Sequence, residues 1–171
     1  MCMECFEKLP RFYYKEREYI TWQDDEYCRV GFSEIPDVGN KEINVKVMSK
    51  AEIKAAKKKP LFLKNTVDVY LINKAKNKTY TFTIYLGYEY DGASISRIFW
   101  RLVGSKENIE FKIAALIHDV LCENHHYVDN DRYFADRVFE KLLEVGDVGH
   151  FRRWLMFHSV DNFQKFCGWG K

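Results

Sequence analysis

At 171 residues, 47% hydrophobic and 16% aromatic, the chain is long enough to bury a core without disulfides or a structural metal, and too apolar to be disordered. Its 27 basic and 25 acidic residues leave a net charge of +2, which excludes a protein-wide field steering it toward nucleic acid, and charges interrupt every apolar run, which excludes a transmembrane segment. Cys2, Cys5, Cys28, Cys122 and Cys167 are odd in number and scattered, and acids stand where the start MCMECFEKLP would need an apolar run for export, so a reducing, cytoplasmic location is expected.

Up to about residue 104 the apolar residues alternate in short runs. INVKVM (43–48), VDVYLIN (67–73) and TYTFTIYL (79–86) have the period of two that predicts half-buried strands. Between the first two runs, SKAEIKAAKKKP (49–60) predicts a short helix, with Ser49 as cap, Glu52 at capping-box spacing and Pro60 as stop. Its five lysines in ten residues read as a solvated face rather than a nucleic-acid contact. GYEYDGASISRIFW (87–100) then predicts a loop, because Gly87 and Gly92 permit turns that other residues resist.

From residue 105 three helices are expected. The first, 105–122, takes Ser105 or Asn108 as cap; the second, 129–146, begins on Asp129 to Asp131 and stops at Gly146; the third runs to Gly168. Strands grouped first and helices grouped after them give an α+β class, with mainly antiparallel strands followed by a C-terminal bundle of three helices. The expectation is a single domain over 1–171, β-rich to about 104 and helical over 105–168.

On a helical wheel the first of these helices is apolar nearly all round, which places His118 and Asp119 inside or close to the core. A carboxylate there needs a cation or several donors. Asp91, on the glycine-flanked loop, can join Asp119, and two carboxylates with loop carbonyls are hard ligands suited to Ca²⁺ or Mg²⁺. Alternatively, Asp91 forms an Asx turn with Ala93 or Ser94. A zincin needs His-Glu-x-x-His, and the residues after the doublet are Val120, Leu121 and Cys122. An EF-hand counted from Asp129 has Phe134 where the turn needs glycine, so Asp129 and Asp131 read as helix-capping acids. Cys122 with His125 and His126, and Cys2-x-x-Cys5, are weaker soft-metal candidates, the former set against an ordinary exposed loop.

Taken together, Asp-x-Ala-Ser-Ile at 91–95, the Ile-His-Asp helix, Asp-x-x-Phe at 136–139 and Arg-Arg-Trp-Leu-Met at 152–156 resemble a domain family of phages and prophages known as domain of unknown function thirteen-fifty-three, over roughly residues 60–166. The family's usual proline after Asp-x-Ala-Ser-Ile is Ser96 here. That resemblance implies a mobile-element origin. Asp-Gly-Ala-Ser (91–94), Ile-His-Asp (117–119) and Asp-Arg-Val-Phe (136–139) are also similar in order to the motifs of prokaryotic secreted phospholipases A2, with Ala93 and Ile117 replacing a cysteine and an arginine. This second likeness implies that Asp91 and Asp119 hold Ca²⁺, that His118 is the general base, and that Asp136 orients its imidazole.

The first functional expectation is therefore a divalent-metal-dependent ester hydrolase acting on a lipid or other ester substrate. The alternative is a non-catalytic accessory protein, cytoplasmic or virion-associated, that binds a virion or host protein through aromatics such as Tyr13, Tyr14, Trp22 and Trp169, the His-Asp set then being a buried polar network. A third expectation is membrane-surface binding through the last helix, where Arg152, Arg153, Trp154 and Lys165 mix with Phe151, Phe157 and Phe163; packing of that helix on the core is its alternative.

Overall fold

The structure, a computed structural model, describes residues 8–92, 109–146 and 148–167. Strands come first and three helices last, with a further small helix among the strands, so the α+β expectation holds. Strands β1 (Arg11–Tyr14), β2 (Arg17–Asp24) and β3 (Cys28–Phe32) form a meander joined by tight turns. At the first turn Lys15 and Glu16 take left-handed φ values of 46° and 65°, the backbone that matches strand twist in a two-residue hairpin. Then come β4 (Val38–Asn40), helix α1 (Lys50–Lys58), β5 (Leu61–Leu63), β6 (Val67–Asn73), β7 (Lys78–Ile84) and β8 (Glu89–Tyr90). The antiparallel strands make one sheet in the order β1-β2-β3-β6-β7 and a second in the order β4-β5-β8.

Two of the three alternating runs are strands as expected: β6 spans the whole of 67–73, and β7 pairs with it from Val67↔Ile84 to Asn73↔Lys78. Residues 43–48 are not a strand. Asn44 folds them into a turn, its side chain accepting from Lys46 N at 3.0 Å and its carbonyl from Met48 N at 2.9 Å, so the alternating side chains have no partner strand and Val45 and Val47 stay exposed. The helix after it is as expected, down to its reciprocal cap: Glu52 N donates to Ser49 Oγ and Ser49 N to Glu52 Oε2. Ser49→Ala should cost about 1 kcal/mol, measured by urea denaturation.

The helical part comprises α2 (Ile109–Glu123), a short 3₁₀ turn (His125–Val128), α3 (Arg132–Val145) and α4 (His150–Cys167). The expected caps Ser105 and Asn108 lie outside the described residues. Asp131 caps α3 by accepting from Phe134 N at 3.0 Å, and Gly146 ends it. Asp129 does not cap α3: it closes the 3₁₀ turn in a left-handed conformation, φ 56°, and holds Lys78 at 2.7 Å and Tyr80 at 3.0 Å on β7.

One apolar cluster joins the sheets and helices. Trp22, Val30, Phe32, Val69 and Leu71 on one face of the larger sheet belong to it together with Leu116, Ile117 and Leu121 of α2, Phe139 and Leu142 of α3, and Met156 and Val160 of α4. Trp22 is thus a core residue, 3% exposed, not an interface anchor; it lies two residues on from buried Ile20, on the same face of β2, beside the register shift between Thr21 and Gln23. Tyr13 is exposed as expected, Tyr14 is half-buried, and Trp169 lies outside the described residues. Helix α2 runs through the middle of the cluster, with Ile113 to Ile117 all buried, in keeping with its all-round apolar wheel.

Candidate functional site

Three elements deliver the predicted site residues. Helix α2 carries His118, Asp119 and Cys122; α3 carries Asp136; β8 leads into Asp91 and Gly92. Tyr90 anchors that strand, its hydroxyl donating to the Lys112 carbonyl of α2 at 2.9 Å, and burial raises the phenol far above its usual range. Beyond Tyr90 the chain turns through Gly92, whose φ of 88° suits glycine, and the Gly92 N–H donates to Asp119 Oδ2 at 3.2 Å. The remainder of the loop, with Ala93, Ser94 and Ser96, lies outside the described residues.

His118 and Asp136, eighteen positions apart, meet in the core. Nε2 of His118 lies 2.9 Å from Asp136 Oδ1, and since a carboxylate only accepts, the ring donates there. Asp136 is fully buried and His118 is 1% exposed. The second Asp136 oxygen accepts from Arg132 Nη1 at 3.1 Å, and the same guanidinium reaches Asp161 Oδ1 on α4 at 2.5 Å. The other ring nitrogen, Nδ1, lies 3.8 Å from Asp119 Oδ1, and Cys122 Sγ sits about equally near both nitrogens, 3.7 Å from Nδ1 and 3.6 Å from Nε2. Phe139 covers the ring at 5.0 Å between centroids.

The charges in this cluster are strongly coupled. Burial works against a charged imidazole, but Cys122, Asp119 and Asp136 together outweigh it and hold the His118 pKa well above its ordinary value. Burial pushes the Asp119 carboxyl up to about 6; His118 opposes this and the neighbouring Asp91 adds to it. Cys122 is raised as well, by burial first, with His118 pulling the other way.

His118, Asp119 and Asp136 thus lie together, and Asp91 is a neighbour of Asp119. Cys122 turns toward His118 instead of grouping with His125 and His126, which enter the 3₁₀ turn. Among the described residues no cluster of three or more His, Cys, Asp or Glu side chains is arranged to hold a metal ion. Cys2 and Cys5 lie outside those residues. Sequence reasoning missed Arg132 and Asp161. The first was visible as an i,i+4 partner of Asp136 on an expected helix; the second, on a different helix, gave no local signal.

No described helix is long and apolar enough to cross a membrane. On α4, Met156 and Val160 pack in the core while Phe151 and Trp154 remain exposed and stack on each other. No curated protein and no solved structure matches the chain. The model of one family, described as protein of unknown function (DUF1353), matches residues 66–160, which hold β6, β7 and the His118–Asp136 pair, and since that stretch is more than half of the sequence, the chain belongs to this family.

Proposed function

We propose that the protein hydrolyses an ester, with His118 as general base, Asp136 as the group that positions it, and Asp91 with Asp119 as the seat of a divalent cation, Ca²⁺ or Mg²⁺. The observation that carries this reading is the 2.9 Å bond from His118 Nε2 to a fully buried carboxylate. It fixes the tautomer: Nε2 keeps its hydrogen, and Nδ1, on the Asp119 side, is the nitrogen left to accept a proton from water. Asp136 offsets the positive charge that the imidazole then acquires.

The acids suit a hard cation. Burial and the neighbouring Asp91 together make ionised Asp119 unfavourable, which a bound divalent ion relieves. Such an ion supplies polarisation of the carbonyl or phosphoryl oxygen under attack. Neutralising Asp119 also withdraws one of the contributions that keep His118 protonated, bringing the imidazole closer to the neutral form a base requires. Since His118 starts above its ordinary value, kcat/KM should climb through a limb above about pH 7 as the ring loses its proton.

Turnover of a short-chain, soluble phospholipid and of a simple carboxylic ester, with Ca²⁺ and with chelator, tests the reading. His118→Gln should lower turnover by at least about a hundredfold while far-UV circular dichroism stays unchanged. Equal turnover in the variant, or none in the parent protein on either substrate, would overturn it.

A second reading is favoured by the 1% exposure of His118. In it the same side chains clamp α2, α3 and α4 together in an accessory protein of phage or prophage origin that binds a virion or host protein. Co-purification of one such partner from infected cells, unaffected by His118→Gln, would support it over hydrolysis.

A further inference from the structure

We propose that the surface formed by residues 43–58 docks the protein on a membrane rich in anionic phospholipid. Two independent features of the described structure meet there. In the Asn44 turn, Val45 and Val47 are 71% and 81% exposed, and Ile43 is exposed beside them. Two valines held out by a bonded turn are an apolar point that none of the described residues covers.

Immediately after the turn, α1 adds a basic face. Lys50, Lys54, Lys57 and Lys58 fall at i, i+4, i+7 and i+8 and, with Ile53, line an open surface recess of about 480 Å³. Among the described residues no carboxylate pairs with these four lysines. Of the two glutamates in 41–59, Glu52 is occupied by the helix cap, while that stretch holds seven lysines.

Charge complementarity decides the occupant. Unpaired lysines beside protruding aliphatics match a layer that offers phosphate at its surface and hydrocarbon just beneath. Nucleic acid would use the lysines but not the valines, and residues 41–60 contain no aromatic ring on which a base could stack. A second copy of this chain would set one lysine face against another. The patch also adjoins the candidate site, because Lys59, at the end of α1, pairs at 2.8 Å with Glu123, at the end of the helix that carries His118. Docking does not depend on hydrolysis and is read without it.

Flotation of the full chain with vesicles tests the inference. The protein should rise with equimolar phosphatidylglycerol and phosphatidylcholine vesicles, stay behind with phosphatidylcholine alone, and lose binding as salt is raised. Combining Lys54→Glu, Lys57→Glu and Lys58→Glu should weaken binding by at least about a hundredfold, on the order of fivefold for each lysine lost. Combining Val45→Ser and Val47→Ser should weaken it about tenfold. All five positions lie on exposed surface, so both variants should stay folded, the lysine variant melting slightly lower because Lys57 and Lys58 occupy the last turn of α1. Absence of binding to the mixed vesicles, unchanged binding in either variant, or tighter binding to a single-stranded oligonucleotide would overturn it. His118→Gln should bind vesicles as the parent does, so failure of hydrolysis and failure of docking are separate results.

Discussion

Replacing Asp136 with alanine should cost about 3–5 kcal/mol of folding stability, measured as a shift in the urea midpoint at neutral pH. The carboxylate is fully buried and accepts from two cationic groups, His118 Nε2 at 2.9 Å and Arg132 Nη1 at 3.1 Å. Without it both donors lose an anionic acceptor. Arg132 is part-buried and keeps Asp161 at 2.5 Å, so most of the loss falls on His118, which is 1% exposed and has no other acid within 3 Å among the described residues. The imidazole escapes by giving up its proton, so the variant should also lose less stability at alkaline pH than at acid pH. Asp136→Asn, which restores an acceptor without the charge, should recover part of the loss. A cost under about 1 kcal/mol for the alanine variant would show that the pair is not held as tightly as its geometry requires.

Asp119→Asn should act in the opposite direction. The Asp119 carboxyl titrates at about 6 in the folded protein against an ordinary value of 3.8, so the folded state holds its proton more tightly than the unfolded chain does. Below about pH 4 both states are protonated and nothing is lost. As pH rises from about 4 to beyond 6 the unfolded chain releases the proton first, and the fold loses up to about 3 kcal/mol, at roughly 1.4 kcal/mol per pH unit. The asparagine cannot ionise, and its amide oxygen can still accept from Gly92 N–H. The variant should therefore be the more stable protein at pH 7, and its stability should stay flat where the parent's declines. With a divalent ion in the proposed seat, Ca²⁺ should raise the parent's melting temperature above pH 6 but not at pH 4, and leave the variant unaffected. A parent protein whose stability does not fall between pH 4 and 6 would contradict the buried, mutually repelled placement of this acid.

Local chemistry made some parts of the fold legible in advance. The alternation of 67–73 and 79–84 finds partners in each other, and the Ser49 and Glu52 spacing closes a real capping box. Alternation alone misled at 43–48, because a strand requires a neighbour to complete its ladder and Asn44 offered the backbone a closer alternative. Trp22 reads as a surface anchor on residue type alone, but it shares the inward face of β2 with Ile20 and packs against Phe32 in the core. The His118–Asp119 doublet was visible from its polar intrusion into an apolar helix, but nothing periodic links it to Asp136; their meeting was implied by a motif likeness and depends on α2 and α3 packing side by side. Asp161 arrives from α4 through Arg132 alone, a link that only the folded chain contains.

The placement of α2 has a further consequence for the lifetime of the site. A helix with a solvent-facing stripe can fray or lift away while the rest of a protein persists, and amide exchange reports such partial openings at low energetic cost. Residues Ile113 to Ile117 have no such stripe, being shielded by the sheet on one side and by α3 on the other. The backbone of His118, the next residue along, should therefore exchange slowly, while Asp119, whose side chain is 12% exposed, marks the side on which water approaches Nδ1 of the ring.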